Sequence, residues 1–168
     1  MPIINTDLQY RLSGGASNSS GDAALGGVIS SNAVSTALNA LFDAKSSAEA
    51  TAGRTEYRCF YVRNGHGTLT ALGTKLWINA NTPGSDTTFE IGLGTSAING
   101  TEQTVANETT APAGVTFSAA ANEAAALAIG DLAPGETKAI WVKLIVTAGA
   151  VGPVTETFTF RTKCDTNP

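Results

Sequence analysis

Charge, histidine and long apolar runs are all scarce in this sequence, and each scarcity argues against a class of function. Charged residues are 14% of the 168 residues, and the ten basic residues form no cluster that could follow a phosphate backbone. No apolar run approaches the roughly 18 residues of a membrane span, and the first residues lack the pattern of an export signal. We therefore expect no nucleic acid and no membrane as partner, and assembly in a cytoplasm.

Residues that could act in catalysis or bind a metal stand isolated in the sequence. His66, the single histidine, lies in a glycine-rich turn, and no serine has the surroundings of a hydrolase nucleophile. Asn79, Asn81 and Asp86 surround one turn but lack the dense acidic spacing of a calcium loop. Four carboxylates could be considered for general acid or base catalysis, but each falls at a strand end or an outward position, where solvated surface groups are the ordinary case. They are Asp86, Glu90, Glu136 and Glu156. The sequence predicts a non-enzymatic chain without catalytic residues, cofactor or metal.

Two cysteines are present, Cys59 and Cys164, and their separation matches no metal-binding spacing. In a reducing cytoplasm, two small buried thiols are the favoured interpretation. A disulfide stays open, because each cysteine falls on a strand face that its aromatic neighbours mark as buried.

The clearest structural signal is Asp131–Val146, where a turn leads into a long strand. Pro134 fixes φ and Gly135 accepts a positive φ, as such turns require. β-branched, aromatic and aliphatic residues then continue for about ten positions. One face is wholly aliphatic: Ile140, Val142, Leu144 and Val146. The other mixes Trp141 and Ile145 with a lysine, which indicates a surface that something covers in part.

Similar strands recur through residues 54–168 at intervals of about 10 to 15 residues, separated by Asn-Gly and Pro-Gly turns. Alternation marks further strands, some of them short or marginal: 55–64, 69–79, 87–93, 115–117, 124–129 and 154–163. For the alanine-rich stretch that leads to residue 129, a helical turn is the alternative. The turn at 64–67 contains an Asn-Gly pair, a leading signal for a hairpin. These features predict an all-β fold: an antiparallel Greek-key β-sandwich, with immunoglobulin-like topology as first choice and jelly roll as second.

Residues 1–53 differ from the rest and are predicted to form an extended N-terminal arm on a β-sandwich domain at 54–168. Residues 8–12 suit one extended segment, and the Gly/Ser/Ala-rich run after them cannot bury enough apolar surface to fold alone. Asn32 is a suitable cap for a short helix over 33–43, where four apolar residues recur at helical spacing. We expect the body to fold even without the first 30 residues.

Several large apolar side chains fall opposite the face assigned to the core of their own strand. By alternation these are Phe60, Val62, Trp77, Trp141 and Ile145. Leaving a tryptophan in water costs on the order of 4 kcal/mol, because an aromatic side chain buries roughly 150 to 250 Å². Two covers are open: the arm together with the long 94–114 loop, or another subunit.

Five segments, taken in order, carry a resemblance to a known group of proteins. They are LSGGASNSSGDAALGGVISS, TEYRCFYVRN, KLWINANTPGSDTTFEIGLGT, APAGVTFSA and LAPGETKAIWVKLIV. Together they resemble small structural proteins encoded by tailed bacteriophages and prophages, over residues 12–162. The shared features are turns and strand patterns, and no chemical signature is among them. The resemblance implies a virion component with a β-sandwich body and no enzymatic activity.

From this resemblance we expect a capsid decoration, or cement, protein that binds the major capsid protein and other copies of itself. A tail or baseplate appendage that binds the host surface is the alternative. The resemblance supplies no catalytic residue, cofactor or metal ligand. The expected contact surface combines arm residues with outer strand faces: Tyr10, Leu12, Leu25, Val28, Ile29, Trp77, Trp141 and Ile145.

Overall fold

The computed structural model describes residues 2–81, 86–151 and 156–166. Within those ranges the chain forms nine β-strands and one short α-helix. In order they are β1 (Leu8–Leu12), β2 (Gly26–Gly27), α1 (Ser47–Ala52), β3 (Arg54–Asn64), β4 (Ala71–Asn81), β5 (Thr87–Leu93), β6 (Glu102–Thr104), β7 (Leu127–Leu132), β8 (Thr137–Val146) and β9 (Phe158–Thr166). A 3₁₀ turn at Glu123–Ala125 precedes β7. The all-β prediction is confirmed.

Two antiparallel sheets make up most of the fold. The first sheet has the order β1-β3-β8-β5, the second has the order β7-β4-β9, and β2 pairs separately with β6. From β3 onward, each strand of these two sheets lies in the opposite sheet from the one before it. Successive long strands are therefore never partners in the same ladder.

The turn at residues 64–67 joins the two sheets, so the hairpin expected there is wrong. The side chain of Asn64 explains the path of the chain. Its buried amide donates hydrogen bonds to the carbonyl oxygens of Leu69 and Leu132, both at 2.8 Å. Because Leu132 belongs to β7, these bonds hold the chain against the second sheet instead of letting it fold back along β3.

One main core takes side chains from both sheets and from the N-terminal segment, residues 2–53. Its fully buried members include Phe60, Ile91, Val142, Leu76 and Leu132. The aliphatic face predicted for β8 contributes to it, as expected, and so do Phe89 and Ile91 of β5. The main core therefore joins the two sheets and the N-terminal segment.

Alternation assigned the wrong face of β3 to the core. Phe60 and Val62, expected on an outer face, are fully buried in the main core. Cys59 and Tyr61, on the opposite face, belong to a second apolar group, the outer cluster: Cys59, Tyr61, Val105, Ala139 and Trp141. Because both faces of β3 are covered, a period of two could not tell the inner face from the outer one.

Trp77 is buried, contrary to its expected place on a contact surface. It is 6% exposed and belongs to the main core, together with its neighbours Leu76 and Ile78. The pairing of β4 with β7 and β9 is regular from Lys75 to Ile78 and shifts register before and after this stretch. The turn expected at 81–84 and the strand start at 154–155 lie partly or wholly outside the described residues.

The N-terminal segment is integrated into the fold. β1 pairs with β3 along its whole length. Four residues of the segment are buried in the main core: Leu12, Ala24, Leu41 and Phe42. The segment therefore forms part of the folded body, whereas the sequence predicted an extended arm outside it.

The helix expected over 33–43 is wrong, since this stretch forms a bridge, bends and turns. Asn39 adopts a positive φ of 58°, which an α-helix does not tolerate, and Ser35 Oγ accepts a bond from the backbone of Ala37. The α-helix begins later, where Ser46 and Glu49 form a capping box.

Candidate functional site

Trp77 and Trp141, expected at a contact surface, are buried within the chain. Trp141 is 0% exposed and lies in the outer cluster. Partly buried residues that pack against this cluster come from the N-terminal segment and from the stretch that precedes β7: Leu25, Ile29, Val115 and Phe117. The sequence left open whether the chain itself or another subunit covers Trp141. In the structure, the chain itself covers it.

The other predicted contact residues differ in exposure. Leu12 is buried at 3% exposure, and Tyr10 is half-buried with its hydroxyl 2.6 Å from Thr162 Oγ1. Leu25, Ile29 and Ile145 are also half-buried. Val28, at 48%, is the one member of the predicted set that is exposed.

Exposed aliphatic side chains are concentrated in the N-terminal segment. Within the described ranges, five large hydrophobic residues are exposed: Ile4, Val28, Leu38, Ile98 and Val151. Three of them, Ile4, Val28 and Leu38, belong to residues 2–53. The hydroxyl of Tyr61 donates to Gly27 O at 2.6 Å and lies 3.5 Å from Gly100 O, which brings the backbone near Val28 and the backbone near Ile98 together.

Eight charged side chains form an ion-pair cluster at one end of β3. They are Asp22, Asp43, Lys45, Glu49, Arg54, Glu56, Arg58 and Glu108. The first four belong to the N-terminal segment, the next three to β3, and the last to the loop after β6. The cluster therefore ties three separate parts of the chain together.

Arg58 is the centre of this cluster and is 0% exposed. Its Nη2 lies 2.5 Å from Glu108 Oε2 and 3.6 Å from Asp43 Oδ1, and its guanidinium lies 5.3 Å from the centre of the Phe42 ring. Glu56, 1% exposed, lies 2.6 Å from Lys45 Nζ. Buried charges of this kind depend on their partners, so the cluster couples the N-terminal segment to β3.

Three carboxylates of the cluster approach one another within 4.8 Å: Asp43, Glu56 and Glu108. Lys45 and Arg58 already compensate their charge from within the chain. Partial burial alone would raise the pKa of Asp43, but the hydrogen bond and charge of Lys45 outweigh it and keep that pKa below its usual value. We therefore assign these carboxylates an ion-pairing role.

Sequence analysis missed this cluster. One feature of the sequence does indicate such a cluster: an acid and a base, Glu56 and Arg58, lie on the strand face that also carries Phe60. Charged residues at alternate positions of a buried strand require partners elsewhere in the chain. Those partners are distant in sequence, so the strand indicates their existence but cannot identify them.

Glu102 organises the long loop that covers the outer cluster. It is 2% exposed and accepts hydrogen bonds from Ser96 N at 2.9 Å and Thr95 Oγ1 at 3.1 Å. Burial alone would raise its pKa, but these bonds outweigh burial and lower the pKa to about 2. The indole Nε1 of Trp141 is buried and has no hydrogen-bond acceptor among the described residues.

The histidine and carboxylates considered for catalysis do not converge on one site. His66 Nδ1 accepts bonds from the backbone of Thr68 and Leu69, which makes it a cap for its turn. Glu136 caps the Pro-Gly turn and Glu90 pairs with Lys143 at 2.8 Å. Burial, followed by the charge of Asp86, raises the pKa of Glu156.

Both cysteines are free. Cys59 is buried in the outer cluster, whereas Cys164 packs against the main core on a different strand. Burial raises the pKa of the Cys59 thiol far above its ordinary value, so this thiol is unreactive. Of the two thiols expected to be buried, Cys59 is buried and Cys164 is half-buried.

No family model, curated protein or solved structure matches this chain. In the described parts of the chain, no helix has the length and apolar character needed to cross a membrane.

Proposed function

We propose that this chain is a non-enzymatic structural protein of a tailed-bacteriophage virion, and that it decorates the capsid. In this role it binds the major capsid protein and stabilises the capsid lattice after assembly in the host cytoplasm. The resemblance of five segments to such proteins supports the proposal. The all-β body and the low content of charged residues are compatible with it.

The observation that carries the proposal is the position of the exposed aliphatic side chains. Ile4, Val28 and Leu38 all lie in the N-terminal segment and are 48% to 69% exposed. Apolar groups on a surface with little charge suit contact with another protein. Binding at many sites on a lattice raises the effective concentration, so modest contacts from each copy are sufficient. Trp77 and Trp141 are not part of the proposed contact surface.

A particle-binding assay tests the proposal. Capsids that lack the protein are incubated with the purified chain and sedimented, and the bound fraction is measured. The double variant Val28→Asp with Leu38→Asp should bind at least about tenfold more weakly, because two desolvated charges oppose an apolar contact. The control is Val151→Asp, since Val151 is 78% exposed but lies outside the N-terminal segment. Equal binding by the wild type, the double variant and the control would contradict the proposed surface.

The number of copies per particle separates the head from the tail. A ratio near one to the major capsid protein supports decoration of the head. Tens of copies or fewer per particle support the alternative, a tail or baseplate appendage.

We also propose that the two sheets form a Greek-key β-sandwich. In the immunoglobulin arrangement several consecutive strands are neighbours within one sheet. Here consecutive long strands alternate between the sheets, which favours the jelly-roll variant over the immunoglobulin-like one.

A further inference from the structure

A cavity of about 520 Å³ lies between the N-terminal segment and the turn before β8. Two arginines, Arg11 and Arg63, line it together with Ile29, Ser30, Ser31, Asn99, Gly135 and Thr137. Cavities of this size accommodate small ligands or a protruding side chain.

The two arginines are held side by side by one amide. Gln9 Oε1 accepts hydrogen bonds from Arg11 Nη2 at 2.9 Å and from Arg63 Nη1 at 3.0 Å. Arg11 also donates to the carbonyl oxygen of Ser31. Gln9 and Arg11 lie on β1, and Gln9 pairs with Arg63 on β3, so the ladder fixes the spacing of the two guanidinium groups.

Neither guanidinium has an acidic partner. Across residues 2–81, 86–151 and 156–166, no carboxylate lies within salt-bridge distance of Arg11 or Arg63, whereas Arg54 and Arg58 both have such partners. Glu136, next to the lining residue Gly135, binds Asn99 and the backbone of Ala133 instead. Two like charges therefore lie together without a carboxylate partner among the described residues, although the net charge of the chain is −4.

We propose that this cavity is a carboxylate-binding site. Guanidinium groups match a carboxylate in charge and in the fork geometry of their donors. Arg63 Nη2 and Nε donate to no acceptor in the described ranges, so they are available to a ligand. The ligand is either a small organic acid or an acidic side chain of another protein. The inference does not depend on the proposed function.

The surroundings of the cavity favour an acidic side chain that has apolar neighbours. Val28 and Ile98 are 48% and 37% exposed, and each is adjacent in sequence to a lining residue, Ile29 and Asn99. A peptide that carries a glutamate between leucines gains apolar contact there, which a free acid does not.

Two probes test the site by ¹H–¹⁵N NMR titration of the full chain. They are succinate and an acetylated Leu-Glu-Leu peptide amide, with Leu-Gln-Leu as the neutral peptide. We expect saturable shifts at Gln9, Arg11 and Arg63 with both acids, weakened by added salt. Tighter binding of the Leu-Glu-Leu peptide than of succinate identifies an acidic side chain of another protein as the ligand. Equal affinities of the two probes identify a free acid. Absence of saturable binding by both acids, or equal binding of the neutral peptide, would overturn the proposal.

Three variants complete the test. Arg63→Gln should weaken acid binding at least about tenfold, as loss of a charge-assisted bond requires. Arg161→Gln is the matched control, because Arg161 is exposed on β9 and the charge change is the same. Gln9→Glu should abolish acid binding and raise the melting temperature, since it places a carboxylate between the two guanidinium groups. An equal loss in Arg63→Gln and Arg161→Gln, or unchanged acid binding by Gln9→Glu, would overturn the proposal.

Discussion

At the residue scale, buried polar side chains fix the irregular parts of the fold. Glu102 holds the loop over the outer cluster, Asn64 holds the crossing between the sheets, and Arg58 pairs with Asp22 and Asp43 of the N-terminal segment. Each is 2% exposed or less. Burial of a polar group is unfavourable unless the group has hydrogen-bond partners. The distant segment that supplies the partners of each of these residues is therefore a required part of the fold.

Glu102→Gln should change how stability depends on pH. The folded-state pKa of Glu102 is about 2, below the value of about 4.3 in an unfolded chain. A depressed pKa contributes stability above the unfolded value, and this contribution is lost as pH falls through the folded value. Between pH 6 and pH 2.5, urea unfolding of the wild type should therefore lose about 2 kcal/mol more than that of the variant.

The control for this comparison is Glu123→Gln, because Glu123 is exposed and pairs with Lys163 at the surface. It should follow the wild type at both pH values. The assigned role of Glu102 fails if Glu102→Gln and the wild type lose equal stability.

Gly26→Ala should be among the most destabilising single changes. Gly26 has a φ of +92°, and an added methyl group would collide with the carbonyl of Gln103 and lie 3.1 Å from the Trp141 ring. Gly130→Ala is the matched control, since its φ of +94° is the same but nothing lies within 4 Å. The control should cost about 1 to 2 kcal/mol from backbone strain, and Gly26→Ala about 2 kcal/mol more from overpacking. Chemical denaturation measures both, and equal costs would contradict the close packing over Trp141.

At the scale of elements, the N-terminal segment contributes a strand to the first sheet. β1 extends this sheet by pairing with β3, and backbone bonds from residues 30–34 cover the outer edge of β1. The segment also supplies β2 and the cover over Trp141. Its glycine-rich composition reflects tight turns and close approach to other strands.

Deletion of residues 1–30 should therefore unfold the chain, contrary to the expectation from sequence. The deletion removes β1, β2 and the buried side chains of Leu12 and Ala24, and it exposes the outer cluster to water. Circular dichroism and a thermal melt would measure the loss of cooperative unfolding. Removal of residues 2–6 alone, before β1, should retain the transition. A cooperative melt of the longer deletion near the wild-type temperature would show that the body folds independently.

The sequence predicts best the strands whose inner face is uniformly apolar. β8 and β5 have the predicted bounds, and their aliphatic faces are in the core. β3 is covered on both faces, so its alternation carried no information about the inner side. β7 begins three residues later than expected, because a 3₁₀ turn at Glu123–Ala125 uses the preceding alanines. The cavity between Arg11 and Arg63 depends on pairing between strands that no local pattern encodes.

At the scale of the whole molecule, one chain covers surfaces that the sequence would also allow a neighbour to cover. The outer cluster is buried without a second subunit, and the ion-pair cluster draws its members from three regions. Among the described residues, three of the five exposed large aliphatic side chains lie in the N-terminal segment, and two guanidinium groups without a carboxylate partner line the cavity.

The alternation of strands between the two sheets also determines when this protein can fold during its synthesis. β3 has β1 and β8 as neighbours, so its ladder remains incomplete until residue 146 has left the ribosome. From β3 onward, no long strand among the described residues pairs with the next one along the chain. The nascent chain must therefore close long loops, at a cost in entropy, before it can form a ladder, and this makes folding slow. Strands that wait unpaired on the ribosome are open to association with other nascent chains, so we expect the yield of soluble protein to depend strongly on expression temperature and on chaperones.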